Sequence, residues 1–299
     1  MHKPETLHTI GCSYTSYNWP TWAAYLGLFY DNYYNYGKCG AGNSYIFTTL
    51  VNKLTSGQIK KGDTVVVQWT SVIREDRILT NHTGYTTPGC IKNQDLYNQV
   101  FVNTYFNPIQ KVYELISYIT SIKALAKEYK FKLKMLYMIT PWFGDFLGEP
   151  INFQIGKHFA DSEYIKDHKL LDVLQKDYRT SKEYINTSIE ETRSTVDSLT
   201  GWYNNLQKDH HPLPCEHLHY TLKYILPYLN TPKQINTETL LTEARERSNI
   251  LADLNNYINK TEDQENSQFD VNEKIYSKLN FKFDIATNTF TEISLKNLI

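Results

Sequence analysis

Charge of one sign is what this sequence lacks most plainly. Its 31 Lys and Arg residues nearly cancel 32 Asp and Glu, for a formal net charge of −1. No bulk field therefore points to nucleic acid or to an anionic membrane surface. Long apolar runs are missing too. None approaches the ~18 residues of a membrane-spanning helix, and Met1-His2-Lys3-Pro4-Glu5 opens onto no apolar stretch of a secretory signal. A soluble chain without a signal peptide is the expectation. Cysteine is scarce, with only Cys12, Cys39, Cys90 and Cys215. No two of them form Cys-x-x-Cys, and their spacing fits neither a zinc ribbon nor a disulfide framework. Reduced thiols are expected, with no cofactor and no resident metal.

What the chain does have is size, apolar content and tyrosine. At 299 residues and 41% hydrophobic it can build one large core domain with an appendage. The 24 tyrosines, together with frequent Asn, Lys and Ile, are what an AT-rich coding genome such as a phage's produces. Tyrosine also packs well at surfaces and can stack on sugars.

Strand and helix signals alternate from the first residues. Leu7 to Ile10 reads as a strand that ends at Gly11, and Trp19 to Tyr30 as a helix, with Pro20 in its first turn. Asp31 to Tyr36 is a second strand. Gly37-Lys38-Cys39-Gly40-Ala41-Gly42-Asn43 follows it as a tight turn, and Ser44 is placed to cap a helix over Tyr45 to Leu54. Thr64-Val65-Val66-Val67-Gln68-Trp69 is a β-branched run of the buried parallel type. Thr70 to Arg77 is the loop after it, and 80–100 a polar surface excursion. Pro108 to Tyr129 is an amphipathic helix and Lys132 to Thr140 a fourth strand. This order predicts an α/β fold, a three-layer sandwich around a parallel sheet with right-handed crossovers. Ligands then bind beyond the carboxyl ends of the strands, where Gly11-Cys12-Ser13, the glycine turn and Thr70 to Arg74 all fall.

Beyond the fourth strand the pattern is mixed. Residues 142–206 read as a helical insertion, Asp209 to His219 as a loop, and Tyr220 to Leu229 as a short helix. From 231 onward an appendage is expected. It contains a polar helix over Thr237 to Asn259, a linker, and a hairpin of Phe281 to Ile285 with Phe290 to Ile293.

A serine on a turn after the first strand is a nucleophile where a base can reach it. Gly11-Cys12-Ser13-Tyr14-Thr15, Asn35-Tyr36-Gly37-Lys38-Cys39-Gly40 and Asp209-His210-His211-Pro212-Leu213-Pro214-Cys215-Glu216-His217 together resemble the first, second and last sequence blocks of the SGNH (GDSL-like) hydrolase superfamily. The resemblance spans roughly residues 5–230 and implies a flavodoxin-like α/β/α sandwich. It implies Ser13 as nucleophile, His211 as base, Asp209 as its orienting partner, His217 as support and the Gly40 amide as an oxyanion donor. The family's third block, Gly-x-Asn-Asp, is absent. Gln68-Trp69-Thr70-Ser71-Val72-Ile73-Arg74 stands in its place, so Thr70, Ser71, Arg74 or Asn43 would supply the side-chain donor.

On that reading the chain is a serine esterase that removes acetyl or short acyl groups from a carbohydrate, with Arg74 and Trp142 as substrate contacts. Two other classes stay open. One is a non-catalytic SGNH-fold part of an assembly such as a virion, with 237–299 as its contact surface. The other is an acyltransferase using the same Ser and His. The location is cytoplasmic or virion-associated. His210, His211, Cys215, His217 and His219 also include zinc-ligand types, but Pro212 and Pro214 disfavour a regular ligand-bearing strand. The cluster Arg74 to Arg77 reads mainly as solvated charge.

Overall fold

The computed structural model describes residues 4–17, 19–78, 85–87, 89, 99–138, 181–185, 187–189, 211–260, 283–284 and 289–290. Strands β1 (Thr6–Ile10), β2 (Asn32–Asn35), β3 (Thr64–Trp69) and β6 (Lys132–Tyr137) form a parallel sheet in the order β2-β1-β3-β6. Two further short strands, β4 (Arg77–Ile78) and β5 (Tyr85–Thr86), pair antiparallel to each other. Helices α1 (Trp22–Gly27), α2 (Asn43–Thr55), α3 (Gln99–Tyr105) and α4 (Pro108–Tyr129) lie between the strands in sequence. The α/β class expected from the alternation is the observed one.

By internal contacts the chain divides into two compact units. One comprises Met1–Leu7, Tyr14–Tyr36 and Ile189–Ile299; the other comprises His8–Ser13 and Gly37–Ser188. Strand β1 contributes residues to both.

In the second unit β3 is buried at every position. Its β-branched run suits a strand covered on both faces. It pairs with β6 from Thr64↔Lys132 to Trp69↔Tyr137. The crossover is α4, whose boundaries match its sequence signals. Asn107 caps it, its side-chain oxygen accepting from Ile109 N at 2.9 Å and Gln110 N at 3.3 Å, and Pro108 occupies the first turn. Lys130, left-handed at φ 60°, ends it. Val112, Leu115, Ile119 and Ile122 form its buried stripe. On β1, His8 is fully buried and bonds Asp63 at 3.1 Å. Burial holds the His8 pKa below its ordinary value even though the Asp63 carboxylate pulls it up. Tyr184 adds a parallel bridge to Met135 on β6, so a described part of 142–206 lies along the sheet and not in a helix.

In the first unit α1 is shorter than its sequence pattern. The helix begins at Trp22, and past Gly27 the chain tightens through bonds from Leu28, Phe29 and Tyr30 to carbonyls three residues back. A Cβ on Gly27 would meet Tyr33 Cγ at 2.6 Å, so the aromatic ring sits where only glycine leaves room. Trp19 is not helical; its indole N–H donates to Pro212 O at 2.8 Å. Helix α5 (Pro214–Tyr220) runs through a stretch expected to be loop, with Pro214 at its start. Glu216 caps it by accepting from Leu213 N at 2.6 Å. It continues as a π-turn over Thr221–Ile225 and a 3₁₀ turn over Leu226–Tyr228. Helix α6 (Thr237–Lys260) packs on α5. Its Leu240 and Ala244 share an apolar cluster with Trp19, Tyr25, Leu213, Cys215 and Leu218. Ser248, fully buried, accepts from Cys215 N at 3.1 Å and donates to Ala244 O at 2.7 Å. The expected hairpin is present as β7 (Phe283–Asp284) paired antiparallel with β8 (Thr289–Phe290).

No helix among the described residues is long and apolar enough to cross a membrane.

Candidate active site

In the second unit the segment after β1, the glycine turn and the loop after β3 carry the described candidate residues. Ser13 is 3% exposed, on the turn that follows β1. Just before it, the Gly11 carbonyl accepts from Lys38 N at 3.1 Å, which ties the glycine turn to the end of β1. Gly40 has φ +72°, a conformation that suits glycine. A Cβ there would meet the Thr87 carbonyl oxygen at 2.0 Å. Thr87 also donates its hydroxyl to Cys39 O at 2.8 Å. Part of the stretch expected as a surface excursion is thus packed on the glycine turn.

The loop after β3 is bound to the same turn by several contacts. The Asn43 side chain takes both backbone groups of Thr70: Nδ2 donates to Thr70 O at 3.0 Å, and Oδ1 accepts from Thr70 N at 2.9 Å. Arg74 Nη1 donates to Ala41 O at 3.2 Å. Asp76, 8% exposed, accepts from Gly42 N at 2.7 Å and Tyr45 N at 2.8 Å. It satisfies two of the orphan amides at the start of α2. That cap comes from a residue distant in the chain, not from Ser44 as the local pattern suggests, and the helix starts at Asn43. Burial raises the Asp76 pKa, and the Glu75 charge adds to the rise; the two backbone bonds and Arg74 act against it.

Three donors from these loops converge on one sulfur. Cys12 Sγ, Thr70 Oγ1 and Arg74 Nη2 lie 3.4, 3.5 and 3.7 Å from Met138 Sδ. A thioether is a weak acceptor. A hydroxyl or guanidinium resting on it gives up little by turning to an oxygen. Of the charges at 74–77, expected mainly as a solvated cluster, the two carboxylates are buried, Glu75 at 4% exposed and Asp76 at 8%, while Arg77 is exposed.

The first unit holds the candidate histidines His211 and His217. The His211 ring stacks on Tyr17 at 3.8 Å between centroids and 13° between planes, and meets Tyr14 edge-on at 5.3 Å. His217 is fully buried on α5 and also meets Tyr14 edge-on, at 6.3 Å. Thr15 O accepts from Thr21 Oγ1 at 2.6 Å and from Asn35 Nδ2 at 2.8 Å. The asparagine that opens the second block therefore anchors the segment after Ser13. Because α5 is helical, Cys215, His217 and His219 do not share a strand face, and the described residues contain no group of three or more His, Cys, Asp or Glu placed to hold a metal. Burial pushes the Cys215 thiol up to about 11, which keeps it protonated.

Ser13, Gly40, Asn43, Thr70 and Arg74 belong to one unit, and His211 and His217 to the other. Asp209 and Trp142 lie outside the described residues. Sequence reasoning missed Tyr14 and Tyr17 as the rings that hold His211, Met138 as the shared acceptor, and Asp76 as the cap of α2. Tyr14 lies inside the first block and Tyr17 two residues beyond it, and neither stands out among 24 tyrosines. Asp76 had no local signal, since its partners are over thirty residues away. No protein-family model, no curated protein and no solved structure matches the chain.

Proposed function

We propose that the protein is a serine esterase of the SGNH type, acting on short acyl esters carried by a carbohydrate. The observation that carries this reading is the convergence of Cys12, Thr70 and Arg74 on Met138 Sδ. It joins the segment that ends in Ser13 to the loop after β3 and keeps two side-chain donors available there. Further support comes from the chain itself: the ring of Tyr14, the residue after Ser13, meets His211 edge-on.

On this reading Ser13 Oγ attacks the ester carbonyl carbon while its proton passes to His211. The carbonyl oxygen becomes an oxyanion that accepts from the Gly40 and Ser13 amides and from the Thr70 hydroxyl. Asn43 is a positioning residue, since its amide fixes the Thr70 backbone. Collapse of the tetrahedral intermediate expels the alcohol, which takes the proton from His211. Water then attacks the acyl-serine, gives a proton to His211 and releases the acid as Ser13 recovers its hydrogen. Asp209 orients the imidazole by its place in the last block. Tyr17, stacked on the ring, restricts the motion of His211.

The test is hydrolysis of p-nitrophenyl acetate and labelling by a fluorophosphonate, each by wild type and Ser13→Ala. Activity and label that both vanish in Ser13→Ala support the esterase. Absence of label together with equal background rates overturns it and leaves a non-catalytic role for this fold, in an assembly such as a virion. Acyl transfer to an added sugar in place of hydrolysis would mark the acyltransferase variant of the same chemistry.

A further inference from the structure

In the second unit a cavity of about 150 Å³ opens beside the loop after β3. Its charged lining is balanced, with carboxylates from Glu75 and Glu114 and cations from Arg77 and Lys111. Glu75 is the buried centre. Its side chain is 5% exposed and receives Arg77 Nη2 and Lys111 Nζ, each at 2.9 Å. Lys111 also reaches Glu114 at 3.0 Å, and Gln110 Nε2 donates to Glu114 at 2.9 Å. Burial alone would pull the Lys111 pKa down, but its bonds to Glu75 and Glu114 outweigh burial and raise it. The lysine stays charged and the network is fixed before any ligand arrives. At the rim stands Tyr105, 70% exposed, with Phe106 beside it.

Each feature constrains the occupant. The volume equals that of about five waters, and a cavity of ~150 Å³ accepts one six-membered ring. It falls below the ~300 Å³ at which drug-sized ligand pockets begin. An anion would face two carboxylates and a cation would face two fixed positive groups, so the balance favours a neutral molecule. The available partners are carboxylate acceptors, ammonium and guanidinium donors, and an amide. Hydroxyl groups, which donate and accept, match all of them. An exposed aromatic ring at the mouth suits the apolar face of a sugar ring.

We infer that this cavity is a binding site for a single neutral hexose or N-acetylhexosamine ring, held by hydroxyl bonds to Glu75 and Glu114 and stacked on Tyr105. The site stands whether or not Ser13 is a nucleophile. Glu75 immediately precedes Asp76, whose carboxylate caps α2 at the glycine turn, so the sugar site and the glycine turn share one loop.

The experiment is saturation-transfer NMR and calorimetric titration of the intact chain with methyl β-glucoside, methyl β-galactoside and N-acetylglucosamine. Glucosamine and glucuronate serve as charged comparators. At least one neutral sugar is expected to bind in the millimolar range, more tightly than either charged sugar. Tyr105→Ala and Glu114→Gln, both at solvent-accessible positions, are expected to weaken it at least tenfold with far-UV circular dichroism unchanged. Tyr34→Ala, at an aromatic 47% exposed in the first unit, is expected to bind as wild type does. No binding of any neutral sugar, tighter binding of a charged one, or equal affinity in Tyr105→Ala and Glu114→Gln would overturn the inference.

Discussion

Replacing Asp76 separates the value of a carboxylate's shape from the value of its charge. Its two oxygens accept from Gly42 N at 2.7 Å and Tyr45 N at 2.8 Å, and the residue is 8% exposed. Asp76→Ala leaves two amides without that acceptor. A buried donor so orphaned costs about 1–3 kcal/mol, and loss of a helix cap about 0.5–2 kcal/mol. A combined loss of about 3 kcal/mol is expected, or roughly 6–12 °C in Tm for a chain of this size. Asp76→Asn keeps one acceptor oxygen, sets an NH2 donor against the other amide, and removes the buried charge. Because burial raises the folded pKa above 3.8, ionisation is less favourable in the folded state than in the unfolded one. The Asn variant should therefore lose less than the Ala variant.

The sign of the pH effect follows from the same shift. A raised folded pKa gives stability that is complete below the unfolded value and is lost as pH climbs through the folded one. The margin of wild type over Asp76→Asn should accordingly be larger at pH 4.5 than at pH 7. Urea unfolding of both proteins at the two pH values measures it, and groups common to both cancel in the difference. An Asn variant as unstable as the Ala variant, or a margin that shrinks in acid, would show that the charge of Asp76 is a net stabiliser and would refute the reasoning.

Two further outcomes test the loops around the site. Gly40 and Gly57 share φ +72°, but a Cβ on Gly57 meets nothing within 4 Å, whereas one on Gly40 meets Thr87 O at 2.0 Å. Gly57→Ala should cost the ~1–2 kcal/mol of a left-handed non-glycine residue and Gly40→Ala at least twice that in thermal or urea unfolding; equal losses would mean that Thr87 does not rest on the turn. Ellman's reagent at pH 8 should modify exposed Cys39 quickly and Cys215, buried with its pKa near 11, only after unfolding; peptide mass mapping showing native-state label on Cys215 would contradict its place under α6.

Legibility in the sequence tracked the range of the interactions that decide each element. Strand β3 and helix α4 were readable to the residue, because a buried β-branched run and an Asn-Pro start are local signals. Helix α1 was overdrawn because its end depends on Tyr33 pressing against Gly27, a contact that periodicity does not encode. Helix α5 was read as loop because Pro212 and Pro214 suggested breaks, yet Pro212 lies before the helix and Pro214 stands in its first turn, which tolerates it. The placement of Ser13, Gly40 and Thr70 on loops beyond strand ends followed from block order and strand signals. Asp76 and Met138 did not, since the first caps a helix from across the sheet edge and the second matters only as the point where three donors meet. Arg74 stands out in the sequence as the first residue of a charge cluster, and the burial of Glu75 and Asp76 within that cluster is what no local pattern signals.

The joining of Trp19 to Pro212, across 193 residues of sequence, has a consequence for biosynthesis. The apolar cluster that covers Trp19 and Tyr25 is completed by Leu213, Leu218, Leu240 and Ala244. A ribosome adding about 5–20 residues per second needs roughly 10–40 s to deliver those partners after Trp19 is made. During that interval the aromatic face of the N-terminal segment stays uncovered, a binding surface for holdase chaperones and a seed for aggregation. The β3–α4–β6 core, complete by residue 137, can assemble in the meantime. Yield in a host lacking trigger-type chaperones should therefore be limited by the fate of the first thirty residues.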